Sequence, residues 1–583
     1  MDRSKQIDRI LKVIVNNLPY IILFAYLIIG SIILPDYGIS TDEPIQRKHG
    51  IISFDYINQK FNILPGIQPT YEESLPEYEY RDYGVAFQVF SYVIERLLKV
   101  EDARSVFLIR HFLTFMLFWL SAFYFFKTAE LCFKNKLLPI LGLLFYILSP
   151  RIFTEAFYNP KDIILLSWIS IGTYTMIKFL DIRSGKYLII HAIVCSLAIN
   201  ARIVGIVLPF VTVLIATFSI KDQRLLSWVK LFGVRLLLWG VLTVVFTLVL
   251  WPFLWEDPVR NFMYSFNEMK RFRWNGQLLY WGILVWASEL PWHYTLSQIL
   301  VTTPILYSIL FLVGFVSTLI MVVKRKCWHF KNSIERNSFG FILLFLIPLF
   351  SVIYFHSILY NGWRQMYFIY PAFLLIGLTG LNAVRQTIIL VTSSVKKKLL
   401  LAAIYTVIVI SLCSTTHFLI RMHPYQYIYF NRIAGTDPLR KFDGDYFGLS
   451  YKEALMFLTE NYSNDSLVIY SENSSCSINS LNFKKETFDR LVFVDDIDQA
   501  DFFISTYYFP ANSVRYSDYL LLRYPFDQKI LFTKQFRNSN LIGIVYQTVG
   551  IVVLLVLFHV RDVAPSYCQI FKEQILTGRE SIL

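Results

Sequence analysis

Charge is what this chain has least of. Asp, Glu, Lys and Arg make up 17% of its 583 residues, against 55% hydrophobic types, and the mean hydropathy is +0.48. So little charge excludes an ordinary soluble protein and points to a polytopic membrane protein. Cysteine is scarce as well. The six residues Cys132, Cys195, Cys327, Cys413, Cys476 and Cys568 form no metal-type pair. Only Cys476 falls in the stretch read below as extracytoplasmic, which argues against a disulfide framework there. Acidic residues are outnumbered, 42 to 55, for a formal charge of +13. In a membrane protein that excess belongs first to cytoplasmic loops, so no nucleic-acid partner is inferred. A cleavable leader is also missing. The apolar run from Leu18 to Leu34 is long for a signal core and has no small-residue cleavage site, so it reads as a retained helix.

What the chain does have is long apolar runs. Those near the ~20 residues that cross a bilayer lie at about 17–35, 105–126, 137–153, 163–180, 187–199, 203–220, 231–254, 298–323, 338–355, 367–391 and 399–420, eleven in all. The short 187–199 run meets its successor at a bend near Asn200-Ala201-Arg202. Basic residues cluster before the first run (Arg3, Lys5, Arg9, Lys12) and after the second, fourth, sixth, eighth and tenth. Alternate loops are therefore basic, which puts them and the N-terminus in the cytoplasm. The other loops, about 36–104, 150–162 and 255–297 among them, fall outside. Residues 421–547 turn polar, with strand-like runs at 466–470 and 490–494 and a helical pattern at 453–462, and read as a small extracytoplasmic α/β domain. Its three Asn-x-Ser sequons, at Asn461, Asn464 and Asn473, matter only in a host that glycosylates exported proteins. Residues 541–560 are either a twelfth crossing or, over 541–547, the last strand of that domain. Residues 548–583 form a hydrophobic segment and tail.

The outer face collects the unusual residues. Asp36-Tyr37-Gly38-Ile39-Ser40-Thr41-Asp42-Glu43-Pro44 follows the first crossing, and paired carboxylates at that level are costly to desolvate and rarely idle. Asp42 is read as the chemical centre, with Glu43 as helper. The loop 36–104 continues with helical patterns near 45–61 and 84–99, the second amphipathic and suited to the membrane surface. An acidic stretch with Glu72, Glu73, Glu77, Glu79 and Asp82 lies between them and reads as solvated. The next outer loop carries Lys161 and Asp162, and the bend carries Arg202. Arg273, Trp274, Trp292 and His293 follow, then Trp363, Arg364 and Tyr367. Cations and aromatics on one membrane face suit a lipid phosphate and a sugar ring. Interfacial anchoring explains many of the aromatics but not arginines that run against the positive-inside trend. Two other classes stay open: a transporter or flippase of lipid-linked glycans, which would show repeats and midplane charges, and a non-catalytic envelope assembly protein.

An Asp-Glu pair after the first crossing, a second Asp at the start of the fourth, many helices and an outer C-terminal domain together resemble the GT-C glycosyltransferases. The likeness is nearest to glycosyltransferase family 39, which includes protein O-mannosyltransferases and lipid A aminoarabinose transferases. Arg273-Trp274-Asn275-Gly276, Leu290-Pro291-Trp292-His293-Tyr294, Gly362-Trp363-Arg364-Gln365-Met366-Tyr367-Phe368 and His423-Pro424-Tyr425-Gln426-Tyr427 look like segments of uncharacterised bacterial members. The resemblance spans about residues 15–547 and implies inverting transfer of a sugar from a polyprenyl-phosphate carrier to a glycan, lipid or protein hydroxyl. It implies Asp42 as general base, Asp162 in the family's second-carboxylate position, and Arg364, Arg202 and Lys161 as ligands of the donor phosphate. Arg273, Trp274, Trp292, His293, Trp363 and Tyr367 would bind substrate. Some members use a divalent metal and others none. Sparse cysteine and the lack of a retention signal favour a bacterial inner membrane.

Overall fold

The computed structural model describes residues 3–547 apart from 67, 183, 219–232, 271, 326–329, 392, 507–528 and 537–538. The basic loop 221–230, Arg183, Lys326 and the tail 548–583 therefore lie outside the described residues. Among the described residues seven helices are long and apolar enough to cross a membrane, and a bent pair makes an eighth candidate. The molecule is a helical integral membrane protein. Shorter apolar helices, Gly185–Ala201, Ile203–Phe218 and Val234–Leu250, cover the remaining expected runs.

Helix α1 (Arg3–Ile33) ends in a 3-10 turn, Leu34–Asp36, and delivers the extended stretch before α2 (Asp42–Phe61). The first outer loop then forms α3 (Ala86–Leu97) and leads to α4 (Ala103–Cys132). The polar side of α3 is buried through Gln88, Ser91 and Glu95, while Phe90 and Leu97 on its other side are exposed. This inverted packing has a cause in α4. Arg110 Nε donates to Glu95 Oε1 at 2.5 Å and its Nη1 to Gln88 Oε1 at 2.8 Å. A buried guanidinium needs such partners, and the outer loop supplies them.

The run expected as one crossing at 137–153 is broken. It forms α5 (Leu137–Ile147) and α6 (Pro150–Tyr158), bent by 60°. Pro150 disfavours the helical region for the residue before it, and Ser149 is extended (φ −70°, ψ 114°). A second proline, Pro160, separates α6 from α7 (Asp162–Asp181). The helix α8 (Gly185–Ala201) ends at extended Arg202, and a 3-10 turn leads into α9 (Val207–Phe218), the bend expected from the sequence. Thr303-Pro304 breaks the expected 298–323 run in the same way, into Tyr294–Thr302 and Ile305–Lys324.

Between Pro258–Lys270 and Tyr294–Thr302 lies a hairpin of β1 (Gln277–Tyr280) and β2 (Ile283–Trp286), paired antiparallel. The last crossing candidate is Ser394–Arg421. Beyond it, helix Tyr451–Asn461 precedes a mixed sheet of β3 (Leu467–Ser471), β4 (Leu491–Phe493), β5 (Phe502–Ser505), β6 (Ile530–Phe536) and β7 (Ser539–Gln547). The strand order is β4-β3-β5-β7-β6, with β3 parallel to both neighbours and β7 antiparallel to both of its own. Leu455 and Leu458 of the helix pack on Leu467, Ile469, Phe502 and Ile504. Residues 541–547 are thus strand, the second of the two alternatives.

Candidate functional site

Two prolines and one bend set the site. Asn159 stands just before Pro160, and its Oδ1 accepts from Asp162 N at 2.9 Å. It caps the first turn of α7 and aims the Asp162 carboxylate across the α6–α7 break. Asn159 Nδ2 donates to Asp162 Oδ2 at 3.1 Å and to Glu155 Oε2 at 2.8 Å. Glu155 accepts in turn from Tyr367 OH (2.6 Å) and Tyr446 OH (3.2 Å). Asp162 has no freedom to rotate within this chain of bonds.

The bend after α8 brings in Arg202. Its Nη2 lies 2.6 Å from Asp162 Oδ1, an ion pair without hydrogen-bond alignment. Asn200 Oδ1 accepts from Val85 N and Ala86 N at 3.0 Å and so caps α3. Gly84 is needed at this junction. A Cβ there would meet Asn200 O at 1.9 Å, so the first outer loop and the Arg202 bend touch backbone to backbone.

Arg364 closes the cluster. Its Nη1 pairs with Asp42 Oδ2 and lies 3.6 Å from Asp162 Oδ2. Its guanidinium sits against the rings of Tyr360 and Phe447, 5.0 and 4.9 Å from their centroids. The side chain of Arg364 is 3% exposed and that of Asp42 28%. Lys161 Nζ lies 3.6 Å from the centre of the Tyr83 ring. Burial works to raise the pKa of Asp42, but Arg364, then Lys161 and Arg202, more than offset it and hold the carboxyl below the usual aspartate value. Burial, then Arg202, brings the Lys161 ammonium down to about 7, with Asp42 and Asp162 opposing the fall.

Three cations thus face two carboxylates. Lys161, Arg202, Tyr83 and Tyr360 also line a cavity of about 310 Å³ whose apolar lining includes Val207, Phe210, Trp251, Phe266, Ile347 and Phe355. Phe210 and Phe355 are half-exposed, so the cavity opens among side chains suited to lipid. The Nε atoms of Arg202 and Arg364 are buried and have no hydrogen-bond partner. Unspent buried donors beside an apolar cavity are what an amphiphilic anion requires.

The other expected site residues fall in different places. Glu43 points away from Asp42. It is buried, accepts from Ser40 N (2.7 Å) and lies 2.9 Å from His111 Nε2. Glu43 Oε2 accepts from both the backbone N and the hydroxyl of Ser40, which satisfies a backbone donor just before α2. Arg273 lines the cavity but spends its guanidinium on Asp82 and Glu268, at 2.7 and 2.8 Å. Asp82 is therefore not the solvated residue expected of the acidic stretch. Trp274 packs on Tyr360, with centroids 4.7 Å apart. Trp363 and Tyr367 are buried in packing, with Trp363 Nε1 donating to Thr302 Oγ1. Trp292 and His293 sit by the hairpin, where Trp292 is 66% exposed and His293 bonds Tyr280 OH at 2.7 Å. Neither lines the cavity.

Among the described residues no group of three or more His, Cys, Asp or Glu side chains is arranged to hold a metal ion. The two carboxylates of the cluster are already engaged by arginines, and these residues do not fit a divalent cation.

No protein-family model matches the chain, and no curated protein does. Similar solved structures do exist. ArnT from Cupriavidus metallidurans in the apo state is 11% identical, with a TM-score of 0.46 over 91% of this chain and 98% of that one. The same protein bound to undecaprenyl phosphate gives 11% and 0.45 over the same shares. The archaeal oligosaccharyltransferase AglB from Archaeoglobus fulgidus, in complex with an inhibitory peptide and a dolichol-phosphate, is 9% identical, with a TM-score of 0.46 over 83% of this chain and 69% of that one. Likeness at this level assigns no reaction to this chain.

Proposed function

We propose that this chain is a membrane glycosyltransferase of the GT-C kind, akin to family 39, which moves a hexosyl or pentosyl group from a polyprenyl-phosphate carrier to an acceptor hydroxyl. One observation carries the reading. Two carboxylates and three cations form one cluster, and two of those cations, Lys161 and Arg202, line an apolar cavity that opens among half-exposed hydrophobic side chains. A polyprenyl phosphate matches both parts, with its chain in the cavity and its phosphate at Lys161, Arg202 and Arg364.

The reaction asks for little else. The acceptor oxygen attacks the anomeric carbon on the face opposite the carrier. The carbon–oxygen bond to the phosphate breaks, its electron pair leaves with the polyprenyl phosphate, and the acceptor proton passes to a carboxylate. Asp42 suits that task, since it is partly exposed and only one of its oxygens is held by Arg364. Asp162 does not, because its oxygens are taken by Arg202 and Asn159. Asp162 instead fixes the arginines that meet the leaving phosphate. Glu43 supports the loop. Arg273 and Trp274 are left as candidate sugar contacts near the cavity. In the topology that goes with this reading, eleven segments cross the membrane, the N-terminus is cytoplasmic, and the site and residues 421–547 lie outside, in a bacterial inner membrane.

The test is a panel of polyprenyl-phosphate sugars given to the purified protein in lipid, with envelope extract as acceptor. Release of polyprenyl phosphate together with labelled product from one donor is the expected outcome. A protein that binds no member of the panel and releases nothing would remove the proposal.

A further inference from the structure

Arg364 has two claims on it. Its Nη1 pairs with Asp42, and Asp162 lies 3.6 Å away. It is nearly fully buried, walled by Tyr360, Tyr446 and Phe447, and its Nε is unpartnered. The proposed reaction needs the same guanidinium at the donor phosphate and the same Asp42 carboxylate free to take a proton. The pair as it stands keeps Arg364 from the phosphate and makes Asp42 a weaker base.

We infer that the Asp42–Arg364 pair is a latch that donor binding opens, so that the base is released only when the carrier phosphate is in place. This rests on the proposed function and adds an order of events to it. The phosphate competes with Asp42 for a buried guanidinium whose second carboxylate neighbour, Asp162, lies 3.6 Å away. Arg202 and Lys161 draw the anion in along the cavity wall. As Arg364 turns to the phosphate, Asp42 loses its strongest cationic partner, and a second anion arrives nearby. Both changes make Asp42 a stronger base. The reverse holds by linkage: whatever Asp42 contributes to Arg364 is lost to the phosphate. An acceptor arriving first would meet a carboxylate that is still occupied, so donor binds before acceptor.

The inference makes a counterintuitive demand. Removing the charge of Asp42 leaves Arg364 buried with only the more distant Asp162 to oppose its charge, much of the cost of a broken ion pair. That cationic hole should take an anion more readily. The Asp42→Asn protein should bind undecaprenyl phosphate about tenfold tighter than wild type, or more, while transferring nothing. Affinity is read by tryptophan quenching or calorimetry in detergent, with thermal unfolding as the control for folding. Wild type supplies a second readout: carbodiimide labelling of Asp42, followed by mass spectrometry, should rise when undecaprenyl phosphate is added. Equal or weaker binding by folded Asp42→Asn would overturn the latch and leave the proposed function standing. Protection of Asp42 from labelling by the lipid would overturn it too. If neither form binds undecaprenyl phosphate at all, the proposed function fails and the latch with it.

Discussion

Asp42 and Glu43 are neighbours in the chain and belong to two different polar regions. Glu43 faces inward, to Ser40 and His111, beside a second buried set in which Arg110 and Arg47 share Glu95. In that region two arginines and His111 meet two carboxylates, Glu95 and Glu43. Asp42 faces Arg364, Asp162, Arg202 and Lys161, where cations outnumber carboxylates and two guanidinium Nε atoms have no partner. The first region is balanced and holds the outer loop on α4. The second is out of balance beside an open cavity. Surplus cationic charge beside a cavity separates a ligand site from a structural network; burial and unpartnered donors do not, since Arg110 Nη2 is buried without a partner as well.

Substitutions break or sharpen that contrast. The largest effect belongs to Asp42→Asn, which should lower transfer by about a hundredfold or more, as loss of a general base does, with the melting temperature little changed. Arg202→Met comes next. It removes a phosphate ligand from the cavity wall and should cost roughly a hundredfold in kcat/KM, mostly as weaker donor binding. Asn159→Ala leaves every charge in place but frees Asp162, so kcat should fall about tenfold with donor KM nearly unchanged, the mark of lost orientation. Asn159→Asp would not rescue it, since a third carboxylate would face Asp162. Lys161 gives a gentler test. Its ammonium, brought down to about 7, is protonated below that pH and neutral above it. Affinity for a donor phosphodiester, whose own charge is constant, should therefore fall several-fold as pH rises through 7, and Lys161→Met should flatten the curve. The smallest effect on activity belongs to Glu43→Gln. It weakens the contacts to His111 and Ser40 and should cost about 1–3 kcal/mol of stability, while the folded fraction still works.

Much of this was legible in the sequence, for physical reasons. A bilayer forces apolar runs of a set length, so the helical segments could be read off directly. The breaks at Ser149-Pro150 and Thr303-Pro304 were legible too, had the prolines been weighed against run length. Asp42, Lys161, Asp162, Arg202 and Arg364 could each be singled out as charges placed against the bilayer. Their convergence was not readable, since it depends on the bend angle of α5–α6 and on Gly84 meeting Asn200. The signal for Asn159 is its place before Pro160, three residues ahead of Asp162, where an Asn can cap a helix; Glu155 has no comparable signal. Tyr83 and Tyr360 carry no residue-level signal that sets them apart from the chain's many other aromatics. Trp363 and Trp292 show the limit of residue type: one is sealed in packing and the other projects by the hairpin, and composition treats them alike.

The most direct measurement is a single-turnover comparison of Asp42→Asn and Glu43→Gln side by side, reading polyprenyl phosphate released from the donor that wild type accepts. The account predicts a loss of about a hundredfold or more for Asp42→Asn and only a few-fold change for folded Glu43→Gln. Equal losses in the two proteins, or release by Asp42→Asn at the wild-type rate, would contradict it.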